Sequence, residues 1–135
     1  MPLQGDKMIF GIGIDLVEVA RIDGILKKWD EKFRKRIFSG DEIIYCEKKA
    51  FPSIHYAARF AAKEAFLKCL GSGIWSGLTL KDVEVFNNRD GKPELKLHKE
   101  LKNKINDMGI TGMYISISHT DNYATAVVVL EGPDT

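Results

Sequence analysis

Three stretches of this 135-residue chain carry residues able to handle phosphate or a divalent cation. The first ends in Asp15, after Phe10-Gly11-Ile12-Gly13-Ile14. A carboxylate there is a suitable ligand for a hard cation. It is equally a preferred helix N-cap, with Glu18 three residues on as in a capping box. The second runs from Arg59 to Lys68. On a helix, Glu64 and Lys68 share a face with Ala57 and Ala61, so a carboxylate and an ammonium stand among small neighbours. That face admits a ligand closely, or holds an exposed i,i+4 pair worth about 0.2–0.5 kcal/mol. Lys63 falls on the apolar stripe between Tyr56, Leu67 and Leu70, with Arg59 one turn earlier. Two such cations suit a phosphate; a structural salt bridge to another segment is the alternative. The third stretch is Ser116-Ile117-Ser118-His119-Thr120. Hydroxyls, an imidazole and turn amides make a phosphate cradle, or are the outward polar residues of an edge strand. No Gly-x-Ser-x-Gly elbow supports a hydrolase reading of the Ser-His pair. Gly71-Ser72-Gly73 follows a helix, whereas nucleotide loops precede one.

The elements that must hold these residues are legible. Residues 8–15 read as a strand whose glycines invite close approach by a backbone or a ligand, with Asp15 at its end. Val19, Ile22, Leu26 and Trp29 follow at helical spacing. Ser39-Gly40-Asp41-Glu42 matches a capping box and starts a helix through residue 49. Phe51-Pro52-Ser53 breaks the chain, and Ser53 caps a helix over 54–70 that stops at Gly71. Strands over 82–86 and 94–97 flank an Asp90-Gly91 turn. A helix over 98–108 precedes strands over 113–118 and 123–130. This order indicates an α+β domain.

Composition narrows the function. The length sets one domain over 1–135, with 1–7 and 132–135 as flexible ends. At 44% hydrophobic and 29% charged residues, the chain is neither disordered nor fibrous. Two cysteines, Cys46 and Cys69, fit reduced thiols. A net charge of +1 gives no global pull toward nucleic acid. No apolar run approaches the roughly 20 residues of a membrane span, and no hydrophobic signal core opens the chain, so the expected location is the cytoplasm. Arg21, Lys28 and Lys32 fall near one helical face, a solvated surface or a dock for an acidic partner.

Together, Phe10-Gly11-Ile12-Gly13-Ile14-Asp15 with Glu18 and Arg21-Ile22, the run Arg59-Phe60-Ala61-Ala62-Lys63-Glu64-Ala65-Phe66-Leu67-Lys68, and Ile115-Ser116-Ile117-Ser118-His119-Thr120 resemble the holo-acyl-carrier-protein synthases, the short single-domain 4′-phosphopantetheinyl transferases. The resemblance covers about residues 8–131, and the middle motif is highly specific. It implies a small, mostly antiparallel sheet packed with helices. It implies transfer of phosphopantetheine from coenzyme A to a serine of apo-acyl carrier protein, releasing adenosine 3′,5′-bisphosphate. In that family the positions matching Asp15 and Glu64 bind Mg²⁺, with Mn²⁺ as the alternative metal. The position matching Lys68 contacts phosphate at the reacting centre. Ser118 and His119, with Thr120, match positions holding coenzyme A phosphates. Arg59, Lys63, Gly71 and Gly73 match the lining of the nucleotide cleft. The family forms homotrimers with clefts between subunits, which places His119 against a neighbour's Asp15 and Glu64. Arg21 and Lys28 are the expected dock for the carrier protein. A coenzyme A-binding or oligomeric interaction domain without transfer activity is the alternative.

Overall fold

The computed structural model describes residues 7–71 and 79–133. Strand β1 (Met8–Glu18) is followed by helices α1 (Val19–Trp29), α2 (Glu31–Ile37), α3 (Gly40–Glu47) and α4 (Pro52–Leu70). A 3₁₀ turn at Leu80–Asp82 leads into the hairpin β2 (Val83–Asn87) and β3 (Pro93–Leu97). Helix α5 (Lys99–Asp107) precedes β4 (Gly112–His119) and β5 (Tyr123–Gly132). The sheet is three antiparallel strands in the order β1-β5-β4, and β2–β3 forms a separate antiparallel ladder. The α+β expectation therefore holds. Strand β5 extends past Leu130 to Gly132, which pairs with Met8.

One face of the sheet packs on α4. Register places Gly13, Val128 and Ile115 in one row across the strands, and Asp15, Ala126 and Ile117 in the next row on that face. Val17, Ala124, Ala126, Val128 and Leu130 are all buried there. The glycines allow this contact. A Cβ on Gly13 would stand 1.9 Å from the Ala65 carbonyl oxygen, and one on Gly11 would stand 2.3 Å from that of Cys69. The space beside them is therefore filled by the backbone of α4, not kept for a ligand. The opposite face carries Ile12, Ile14 and Leu16, which are 59–67% exposed.

Several local expectations change. Asp15 does not end β1, which continues three residues to Glu18. The N-cap of α1 is Glu18, without a side-chain cap bond, so Asp15 is not a cap. Asp30, at φ 48°, separates α1 from α2, so Lys32 does not continue the face of Arg21 and Lys28. Trp29 is exposed rather than part of the core. Helix α4 starts at Pro52 with Phe51 as N-cap; the Ser53 hydroxyl instead donates to Asp23 Oδ1 at 2.6 Å. The capping box of α3 forms as expected, with both Ser39 and Glu42 bonds present.

Lys63 is fully buried and all three ammonium donors are used. They reach Glu42 Oε1 at 2.7 Å and the carbonyl oxygens of Leu80 and Val83. Glu42 also accepts from the amides of Ser39 and Val85. The expectation that Lys63 lines a nucleotide cleft is corrected: it is a structural salt bridge, and no donor remains for phosphate.

Two outcomes test this packing. Gly13→Ala should destabilise the fold by about 2–3 kcal/mol or more, because the clash is with helix backbone. A denaturant midpoint close to that of the parent would contradict the close contact. Lys63→Ala should cost about 3–5 kcal/mol by stranding the buried Glu42 carboxylate. A stable variant with weakened ligand binding would return Lys63 to the cleft.

Candidate active site

The α4–β1 contact brings the first two motifs together. Asp15 faces the helix, and its Oδ1 accepts from Lys68 Nζ at 2.9 Å. Lys68 also donates to the Ile14 carbonyl at 3.0 Å, so the ammonium is fixed to β1 by two bonds. Glu64 lies one turn before Lys68 and is half-buried. Burial pushes the Glu64 carboxyl above its ordinary value, and the Asp15 charge pushes it further; Lys68 and Arg21 oppose this. The Glu-Lys pair is thus not an isolated helix pair on the surface.

A carboxylate whose charge is disfavoured by a second carboxylate beside it fits a divalent cation, which would relieve the repulsion. Mg²⁺ uses one or two carboxylates and completes its shell with water and phosphate oxygens, so a pair suffices. Groups of three or more acidic, histidine or cysteine ligands do not occur among the described residues. Asp15 and Glu64 are the residues that could hold Mg²⁺ or Mn²⁺.

The third motif lies elsewhere in the fold. His119 is the last residue of β4, and its ring meets His55 edge-on, with centroids 5.7 Å apart. His55 meets Tyr45 in the same manner at 5.9 Å. The Arg59 guanidinium stands 3.9 Å from the Tyr45 ring centroid and Lys49 Nζ 4.6 Å from it. Arg59 is buried, and its Nη2 donates to Asn87 Oδ1 at 2.9 Å. Its Nε has no hydrogen-bond partner among the described residues. His55 and Glu64 are nine residues apart on α4, or about 13 Å along the axis. Within the chain the carboxylates and the imidazoles therefore stand apart.

The remaining candidates are placed as follows. Ser118 leaves the sheet on the face opposite His119, as adjacent strand residues must. Thr120 Oγ1 accepts from the amides of Asn122 and Tyr123, and the Thr120 amide donates to Tyr123 O. The amides of Thr120, Asn122 and Tyr123 are thus engaged within the turn. Gly71 ends α4 with φ 73°; Gly73 lies outside the described residues. Arg21 and Lys28 are exposed on α1, and Lys28 Nζ stands 5.2 Å from the Trp29 ring centroid.

Sequence reasoning missed His55, Tyr45 and Trp29. Trp29 lines an open groove with Ile25 and Phe33, flanked by Lys32 and Arg36. The signal for it was present: Trp29 sits in a strongly basic segment. The signal for His55 was not, because its partner is 64 residues away in sequence.

The 4′-phosphopantetheinyl transferase superfamily model matches residues 11–128. A holo-[acyl-carrier-protein] synthase of Syntrophus aciditrophicus is 54% identical over 125 residues, covering 93% of this chain and 98% of that protein. The crystal structure of the Neisseria meningitidis holo-[acyl-carrier-protein] synthase superposes with a TM-score of 0.84 at 33% identity, covering 91% of this chain and 98% of that one. The Helicobacter pylori enzyme, crystallised in complex with coenzyme A, gives a TM-score of 0.76 at 38% identity, covering 88% and 98%. With its three motifs on the matching fold, the chain belongs to the holo-[acyl-carrier-protein] synthase family, the short 4′-phosphopantetheinyl transferases.

Proposed function

We propose that this enzyme transfers 4′-phosphopantetheine from coenzyme A to a serine hydroxyl of apo-acyl carrier protein, in the cytoplasm and with Mg²⁺. The observation that carries this reading is the Asp15, Glu64 and Lys68 cluster. The serine oxygen attacks the phosphorus bearing pantetheine, and the bond to the bridging oxygen breaks. Adenosine 3′,5′-bisphosphate leaves with that oxygen. The nucleophile belongs to the partner, so none is needed here. Bound Mg²⁺ would supply charge neutralisation on the pyrophosphate oxygens. Lys68, a compact cation beside the carboxylates, neutralises the charge growing on the same phosphates. Glu64 takes the serine proton, directly or through water.

The working assembly is a cyclic homotrimer with its sites between subunits. Two observations support this. The Ile12, Ile14 and Leu16 face is an apolar surface that a soluble monomer seldom leaves open. The carboxylates and the His119 cluster are too far apart to grip one pyrophosphate within a protomer. His119, Ser118, Thr120 and Arg59 then hold coenzyme A phosphates across the subunit boundary, with Gly71 at the cleft's edge. Arg21 and Lys28 receive the acidic carrier, and the Trp29 groove accepts its apolar centre.

Intact-mass spectrometry of apo-acyl carrier protein, incubated with enzyme, coenzyme A and Mg²⁺, should show the gain of one phosphopantetheine and its loss with EDTA. Glu64→Gln should lower turnover by about 10²–10⁴-fold. Divalent-cation affinity of the metal-free enzyme should weaken on acidification while still above the ordinary glutamate range, since protonated Glu64 does not ligate, and titrating the metal at several pH values checks this. Near-normal turnover of Glu64→Gln with metal still bound would remove its role as base. Mixing inactive Asp15→Ala with inactive His119→Ala subunits should restore roughly a quarter of the sites. No recovery in mixed trimers would place each site within one subunit.

A further inference from the structure

His55 is a residue that neither the family motifs nor the proposed chemistry uses. It enters α4 in its first turn, and its ring lies between two others. Tyr45 of α3 meets it edge-on at 5.9 Å, and His119 of β4 meets it edge-on at 5.7 Å. The row thus runs from the core side of α3 to an exposed strand end. His119 is exposed, and β4 ends with it. Left alone, such a ring samples several rotamers, and binding a phosphate requires one.

We propose that His55 is a positioning residue for the phosphate site at His119: its ring, braced on Tyr45, holds the His119 imidazole in the orientation that meets a phosphate of coenzyme A. This rests on the phosphate-binding role of His119 proposed above. The brace is itself anchored. Tyr45 carries Arg59 and Lys49 over its ring, and Arg59 is tied to Asn87. The row therefore connects α3, α4, β2 and β4 at one point. Its surroundings also favour an uncharged His55. Burial lowers its pKa, and the Lys49, His119 and Arg59 charges lower it further. These cations face His55 from α4, from β4 and from the turn after α3.

The test is steady-state kinetics with coenzyme A as the varied substrate, on the full enzyme. An edge-on ring contact of this kind predicts that His55→Ala and His55→Leu raise KM roughly two- to tenfold, with kcat little changed. His55→Phe should recover most of that loss, because it keeps the ring. In a His119→Ala background, His55→Ala should add nothing further. Leucine fills the space without a ring, so a mere packing role would be rescued by leucine as well as by phenylalanine. Rescue by leucine, or a full additional loss in the His119→Ala background, would overturn the proposal. A normal KM in His55→Ala with a raised KM in His119→Ala would overturn it while leaving the His119 reading intact. A normal KM in His119→Ala itself would overturn both.

Discussion

Close backbone contact between α4 and β1 is the constraint from which the rest follows. At Gly13 and Gly11 the strand offers no side chain, and the helix carbonyls of Ala65 and Cys69 settle where a Cβ would be. Any other residue pushes the helix outward. The contact fixes the height of Asp15 relative to Glu64 and Lys68, three side chains from two segments separated by nearly fifty residues. Charge geometry at the site is thereby set by two absent side chains. The alanines of α4 serve the same end: Ala57, Ala58, Ala61, Ala62 and Ala65 are buried and keep the helix near its neighbours.

Helix α4 divides its residues by direction. Glu64 and Lys68 look toward β1, His55 looks toward β4, and Lys63 looks into the interior. Lys63 is the more instructive because its motif membership invites a chemical role. Its ammonium joins the capping-box glutamate of α3 to the two carbonyls that open the β2 hairpin. Beyond Glu42 the polar chain continues. The Ser39 hydroxyl donates to Glu84 at 2.5 Å, and Glu84 meets His98 at 2.9 Å. Desolvating a lysine and a glutamate is expensive, and only this nearly complete set of partners makes it tolerable. One network thus aligns α3, α4, strand β2 and the start of α5 at His98.

Local signals in the sequence were reliable where a few neighbouring residues decide the outcome. The capping box at Ser39, the Gly91 turn and the alternation of β4 all appear as read. Features decided by distant partners were not legible in the same way. Glycines 11 and 13 announce a close approach, but not that a helix fifty residues later makes it. Asp15 reads as a cap because its continuation, Leu16-Val17-Glu18, lacks a sharp strand signal; pairing with β5 keeps it extended. Lys63 could not be assigned without Glu42, and His55 could not be assigned without His119. Asp15, Glu64 and Lys68 were singled out by the family resemblance of their motifs, spacing alone leaving a cap and a surface pair as alternatives, while the Asp15–Lys68 bond and the effect of Asp15 on Glu64 belong to the fold.

Strand β1 is eleven residues long and lies at an edge of the sheet. One of its faces holds the glycines and Asp15; the other holds Ile12, Ile14 and Leu16. From Ile12 to Leu16 that outer face carries no charge or proline; the register shift between Ile9 and Gly11 and the Glu18 carboxylate blunt only its two ends. A chain in which this face stays open carries an apolar ribbon beside the free edge of β1, a surface that would adhere to others of its kind. The strand that aligns the carboxylates on one side is thus adhesive on the other.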